Sequence, residues 1–235
     1  MQIAICDDQS FFRSELRKYL VDYKKERRVQ IDVSEFQNGR ALIESKEVFD
    51  MVFMDYQMPG LDGMATARIF RERNSMCTIV FVTNYPEFVF ESFEVNPYRF
   101  FRKPISGEEI AGMLDVYIRQ QKLLSPIIIN GYEGQKTIAS KDVVYLEGDG
   151  KYCIIRTVND TVHSSKTLSG VLTLLPQYCF YRVHRSYAVN MYHVERMDNN
   201  TILLLNGERV LVGRNHIADF KKAYREFVKN YYLRI

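Results

Sequence analysis

Short apolar runs and stretches of helical spacing alternate along the first half of the chain. Residues 2–6 are apolar after Gln2 and stop at Asp7 and Asp8. In residues 10–28, Phe12, Leu16, Tyr19, Leu20 and Tyr23 recur at the three- and four-residue intervals of one helix face. Residues 29–36 alternate as a strand does, and Asn38-Gly39 opens a short helix ending near Ile43. Residues 51–54 form a third apolar run, which ends in Asp55. A helix over 62–73 follows, with Met64, Ala65, Ile69 and Phe70 on one side. The pattern continues as a strand over 79–82, a short helix over 86–93, a strand over 98–101 and a helix over 106–124. Ser106 and Glu109 stand at the spacing of a capping box at the start of that last helix. Alternation of this kind predicts an α/β fold, a doubly wound five-stranded parallel sheet. Such sheets build their sites at the carboxyl ends of the strands.

The pattern changes at Ser125-Pro126, which breaks the helix. Short strands follow at 127–129, 137–139, 143–146, 152–157, 180–183, 194–197, 202–205 and 209–212, with helices at 168–175 and 215–230. Asn206-Gly207 between the last two strands is a strong hairpin signal. Phe220, Tyr224 and Phe227 recur at helical spacing and are expected to dock the last helix on a sheet. The chain therefore reads as two domains, residues 1–124 and a mostly-β second domain at 125–235.

Charge separates the two parts further. Residues 1–125 carry 17 Lys and Arg against 19 Asp and Glu, whereas residues 126–235 carry 15 against 10. All four histidines lie in the second part. A basic second domain suits a polyanion, and nucleic acid is the usual one. No apolar run approaches the roughly 20 residues of a membrane helix, and the start of the chain lacks the form of a signal peptide. Cys6, Cys77, Cys153 and Cys179 are scattered without CxxC pairing. Together these features predict a cytoplasmic protein without membrane insertion, its cysteines reduced and buried.

The candidate chemistry gathers where the first fold builds its site. Asp7, Asp8 and Asp55 fall at the ends of neighbouring strands, Thr83 at the end of a fourth and Lys103 just beyond the fifth. Clustered carboxylates repel unless a hard cation neutralises them, and Mg2+ suits oxygen ligands while keeping positions open for phosphate. One carboxylate can then attack phosphorus, with Lys103 and the Thr83 hydroxyl meeting the phosphoryl oxygens. Asp7-Asp8, Asp55 before Met58-Pro59-Gly60 and Asp62-Gly63, Thr83, and Lys103-Pro104 together resemble the response-regulator receiver family. The resemblance implies that Asp55 is the phospho-acceptor and a sensor histidine kinase the donor. It further implies that Asp8, Asp55 and the Gln57 carbonyl hold Mg2+, and that Thr83 and Phe100 form a switch pair. Phe100 stands where many receivers have Tyr, and Asn84 where the family keeps a small residue.

The second domain has no helix patterned for DNA recognition. Basic and polar residues gather at its strand ends and turns instead: residues 148–152, 180–190 and 212–216. Val144-Tyr145-Leu146-Glu147, Tyr181-Arg182-Val183-His184-Arg185-Ser186-Tyr187-Ala188-Val189-Asn190, and Val212-Gly213-Arg214 resemble the LytTR family of DNA-binding domains. The resemblance implies base contacts from loops. Carried over, it points to Lys151 and Tyr152, to His184 and Arg185, and to Arg214, with Arg185 and Arg214 foremost. Lys151, Lys166 and Asn215 are phosphate candidates, and His184 a positioning residue or phosphate contact. No zinc spacing, GxSxG element or Walker-type loop is present. The expected function is a non-enzymatic, phosphorylation-controlled transcriptional regulator that pairs into a homodimer on direct repeats of promoter DNA.

Overall fold

The computed structural model describes residues 1–84, 95–132 and 134–231. The chain forms two compact units, Met1–Val116 and Tyr117–Ile235. They divide within a helix, Gly107–Leu124, that the sequence pattern assigns wholly to the first domain.

The first unit is built on strands β1 (Gln2–Cys6), β2 (Asp32–Phe36), β3 (Met51–Met54), β4 (Thr78–Thr83) and β5 (Arg99–Arg102). All pair in parallel, in the order β2-β1-β3-β4-β5. The central strands read as unbroken apolar runs because helices cover both faces, and Ile3 to Cys6 and Met51 to Met54 are all buried. Edge strand β2 is only partly covered, and its alternation is the mark of that position. Helix α1 (Ser10–Arg27) buries Leu16, Leu20 and Tyr23 and ends at Arg28 in a left-handed conformation, φ 53°. Helices α2 (Gly39–Glu44) and α3 (Gly63–Arg73) are capped by Asn38 and Asp62, whose side chains accept from the amides of Ala41 and Ala65. At α4 (Gly107–Leu124) the predicted capping box is complete. The Ser106 amide donates to Glu109 Oε2 at 2.9 Å and the Glu109 amide to Ser106 Oγ at 3.2 Å. The helix expected over 86–93 lies outside the described residues.

The second unit is mostly β. Strands β6 (Pro126–Gly131) and β7 (Gly134–Ala139) form a hairpin. Strands β8 (Val143–Asp149), β9 (Tyr152–Thr157), β10 (Thr161–Ser164), β11 (Phe180–His184) and β12 (Tyr187–Asn190) form an antiparallel sheet in the order β10-β9-β8-β12-β11. Strands β13 (Val194–Asp198), β14 (Thr201–Leu204) and β15 (Arg209–Leu211) form a third sheet, whose last turn is the predicted Asn206-Gly207 hairpin. Gly207 takes φ +85° there. Helix α5 (Leu168–Leu172) is shorter than expected. Helix α6 (Ile217–Tyr231) lays Phe220 and Phe227 into the core, and its Tyr224 hydroxyl donates to the Val194 carbonyl at 3.2 Å.

Strands β10 and β12 are not predicted by the sequence pattern, in which residues 187–190 belong to a basic and polar segment at strand ends and turns. The core explains β12. Asn190 is fully buried, donates to the Val143 carbonyl at 2.9 Å and accepts from the Tyr192 amide at 3.1 Å. A buried amide side chain satisfied on both ends is a structural tie between β12 and β8. Burial likewise pushes the Cys6, Cys77, Cys153 and Cys179 thiols up to about 12, so each acts as a small apolar side chain.

Candidate functional site

In the first unit, Asp7 follows β1, Asp55 follows β3, and Lys103 follows β5. Their backbones continue the sheet ladder: the Asp55 amide donates to the Cys6 carbonyl at 2.8 Å and the Lys103 amide to the Thr83 carbonyl at 2.9 Å. Lys103 Nζ lies 2.6 Å from Asp7 Oδ2 and 2.7 Å from Asp55 Oδ2, and all three side chains are almost wholly buried. The ammonium also lies 4.2 Å over the Phe12 ring. The carboxylates of Asp7, Asp8 and Asp55 fall within 4.8 Å of one another, with Asp8 exposed. One ammonium thus pairs with two of three clustered carboxylates, and the three keep an excess of negative charge over it. Burial pushes the Asp55 carboxyl up from its ordinary range; the Lys103 hydrogen bond and charge pull it back down, and Asp7 pushes it up again.

An open cleft of about 560 Å³ adjoins the cluster, lined by Asp8, Gln9, Asp55, Gln57, Pro59, Asp62 and Asn84 among others. The loop after Asp55 shapes its wall. Gly60 takes φ +85°, and a Cβ on Gly63 would sit 2.0 Å from the Asp55 carbonyl oxygen, so the helix can start there only with glycine. Thr83 is buried at the end of β4. Phe100 is half-buried and stacks on Phe81, with centroids 5.2 Å apart and planes 16° apart. Phe81 and Thr83 are two residues apart on one strand, so Phe100 packs on the face that carries Thr83. The sequence reading missed Arg13, which donates to the carbonyls of Asp7 at 2.7 Å and Asp8 at 3.2 Å and fixes the acidic turn. Its place one helical turn after the acidic pair was the available signal.

In the second unit, strand registers bring the candidate DNA residues to one end of the five-stranded sheet. Asp149 pairs Tyr152 across the β8–β9 turn that holds Lys151. Ser164 pairs Cys153, so β10 ends at that same end and leads into Lys166. Tyr187 pairs both Glu147 and His184, which places the Arg185 turn there too. The Gly213 amide donates to the Val183 carbonyl at 2.8 Å and brings the Arg214–His216 turn alongside. Lys151, Tyr152, Lys166, Arg185, Arg214 and Asn215 are exposed, and His184 is half-buried.

His184 Nδ1 accepts from the Ser186 amide at 3.2 Å, which makes it a brace of the turn. Arg182 braces the turn from the other side. Its guanidinium donates to the carbonyls of His184 at 3.3 Å and Arg185 at 2.5 Å and to Ser169 Oγ at 2.9 Å. Of the two arginines in that segment, Arg182 is committed inside the turn and Arg185 projects from it.

Comparison with known proteins agrees with both halves. The response regulator receiver domain family matches residues 3–115, and the LytTr DNA-binding domain family matches residues 133–225. The chain belongs to the LytTR-type response regulators. It is a two-component transcriptional regulator. It is 28% identical to a sensory transduction protein LytT of Bacillus cereus over 96% of this chain and 99% of that protein. It is 24% identical to the positive alginate biosynthesis regulatory protein of Pseudomonas aeruginosa, over 94% and 98% of the two chains. Among solved structures, a LytTr DNA-binding domain of a Bacillus cereus response regulator is 28% identical, with a TM-score of 0.38, and covers 42% of this chain and 95% of that one. Among the described residues of this response regulator, no helix is long and apolar enough to cross a membrane.

Proposed function

We propose that Asp55 accepts a phosphoryl group from a sensor histidine kinase in the cytoplasm, and that Arg185 and Arg214 then read promoter DNA for two paired copies of the chain. The observation that carries the first part is the buried Lys103 ammonium, held between Asp7 and Asp55, with Asp55 lining an open cleft. An Asp55 carboxylate oxygen attacks phosphorus and forms an O–P bond as the N–P bond to the kinase imidazole breaks, its electron pair leaving with the nitrogen. Lys103 pairs with the incoming oxygens, and the Thr83 hydroxyl donates to one of them. The excess carboxylate charge, with hard oxygen donors only, fits Mg2+. Asp8, Asp55 and the Gln57 carbonyl would hold that ion, which neutralises the charge of carboxylate and phosphoryl group as they meet.

The second part is supported by the convergence of basic, exposed turns on one sheet end. Arg185 and Arg214 offer bidentate forks to guanine edges, whereas Lys151, Lys166 and Asn215 offer contacts to phosphates. Arg185→Ala or Arg214→Ala should each cost about 1–3 kcal/mol on a selected site and little on random duplex, whereas Lys166→Ala should weaken both alike and flatten the salt dependence. Fluorescence anisotropy with labelled duplexes checks this. Equal losses on specific and random DNA for both arginine variants would remove their base-reading role.

A single domain of this size reads too short a sequence for a unique address, and pairing multiplies the discrimination. The receiver face around β5, an edge strand with exposed Arg99 and Arg102, is the surface we assign to pairing. Phosphorylation draws Thr83 toward the phosphoryl group and reshapes the packing of Phe100 beside it. Light scattering should show a monomer-to-dimer shift on phosphorylation. Binding to direct repeats should drop when a half-turn of DNA is inserted between them, because both domains must meet one face of the duplex. A phosphorylated chain that stays monomeric and tolerates every spacing would refute the arrangement.

A further inference from the structure

The tip of the β6–β7 hairpin carries Tyr132, 67% exposed, with its ring centroid 5.1 Å from that of Tyr152, itself 41% exposed, at an interplanar angle of 67°. Two large rings with much of their surface in water are thus held edge to face beside Lys151. The hairpin is fixed in that place. The Asn130 carbonyl accepts from the Ser165 amide at 2.8 Å and from Ser165 Oγ at 3.0 Å. Gly131 passes so near β10 that a Cβ would lie 2.1 Å from the His163 carbonyl oxygen. The neighbouring turn residue of Ser165 is Lys166, so the tip of the hairpin reaches the same sheet end as the DNA-binding candidates. Core packing does not account for Tyr132. Ile129, 1% exposed, already anchors the hairpin in the core, and the tyrosine lies beyond it.

We propose that Tyr132, paired with Tyr152, is a further DNA-contacting element that touches base edges and sugars to one side of the Arg185 contact. This rests on the reading of this sheet end as the DNA-facing one. The chemistry disfavours a charged phosphate clamp at the rings themselves. Neither ring carries charge, and the cross-strand partner of Tyr152 is Asp149, whose carboxylate repels phosphate. Two exposed rings suit apolar contact with thymine methyls and sugars, and hydrogen bonding from the phenol hydroxyls to base edges. The topology sets the offset. From β9 to β11 the sheet order runs β9-β8-β12-β11. Three strand spacings make about 14 Å, and at about 3.4 Å per step along a strand this is about four base pairs.

The test is selection of bound sequences from a randomised duplex pool by the full chain, by Tyr132→Ala, by Tyr132→Phe and by Arg185→Ala. Tyr132→Ala should lose preference at positions about four base pairs from those that Arg185→Ala flattens. On the duplex that the unaltered chain selects, it should bind about five- to tenfold more weakly, at the lower end of a base contact's worth. The salt dependence should stay unchanged, since no positive charge is lost, and Tyr132→Phe should keep part of the preference. Tyr132→Ala that selects the same sequences at unchanged affinity, beside a defective Arg185→Ala, would overturn this element and leave the proposed function standing. Equal weakening on random duplex with a flatter salt slope would also overturn it. No selection by the unaltered chain would overturn both.

Discussion

Asp55→Asn is expected to abolish phosphoryl acceptance outright. Incubation of the unaltered chain with acetyl phosphate and Mg2+ should add one phosphoryl group, read as a single mass increment or one band on phosphate-affinity gels. The amide variant should show none, because an amide oxygen lacks the charge and nucleophilicity of a carboxylate. The geometry makes the loss selective. Asp7 Oδ2 is equally close to Lys103, but Asp7 is not among the residues lining the open cleft, whereas Asp8 and Asp55 are. Asp8 is exposed, and the Lys103 ammonium pairs with Asp7 and Asp55 instead of with it, so Asp8 is the less suited to receive phosphoryl charge. Asp8→Ala should fail as well, by a different route: the carboxylate–phosphate repulsion would go unscreened with a cation ligand gone. The two are told apart by raising Mg2+, which should restore part of the labelling to Asp8→Ala and none to Asp55→Asn. Undiminished labelling of Asp55→Asn would sink the assignment.

The parallel sheet was legible because burial on both faces leaves an unmistakable trace. Ile3 to Cys6, Met51 to Met54 and Ile79 to Val82 are continuous apolar runs, each closed by a polar residue at the strand end. The same rule locates the acidic cluster in the sequence, since the carboxyl ends of parallel strands that alternate with helices share one rim. The second unit was harder to read. In β10, Val162 and Ser164 face in while Thr161 and His163 do not, four residues in all, too few for alternation to stand out. In β12, the run Tyr187–Asn190 sits beside two arginines, and its fully buried Asn190 mimics a surface residue by composition alone. The difference between Arg182 and Arg185 was invisible for the same reason. Both read as basic, and only the turn's carbonyls, brought together by β11 and β12, commit one guanidinium inward. Tyr132 was missed because its partner Tyr152 is distant in sequence and meets it only through the docking of the β6–β7 hairpin on β10.

Lys103→Met is expected to be the most destabilising single change at the site, by about 3–5 kcal/mol, as for removal of one partner from a buried ion pair. Methionine fills much of the lysine's volume and can still pack under Phe12, so the loss reports charge and not a cavity. With the ammonium gone, the buried Asp7 and Asp55 carboxylates lose the cation that pairs with both, beside a third carboxylate on Asp8. The pH dependence gives the sign. Burial already lifts the Asp55 carboxyl above its ordinary value, and Lys103 works against that lift. A raised folded-state value means that the folded chain holds the proton more tightly than the unfolded chain. Its contribution is therefore fully present below the unfolded value and is lost as pH rises through the folded one. Removing Lys103 raises the folded value further, so in metal-free buffer the deficit of Lys103→Met should be largest near neutral pH and should shrink on acidification. Mg2+ should narrow it too, since a cation bound only by the folded cluster stabilises the fold by mass action. Urea unfolding at several pH values, with and without Mg2+, measures all three. A deficit that is the same at every pH and indifferent to Mg2+ would show that Lys103 serves packing alone and that the three carboxylates do not act as one charged cluster.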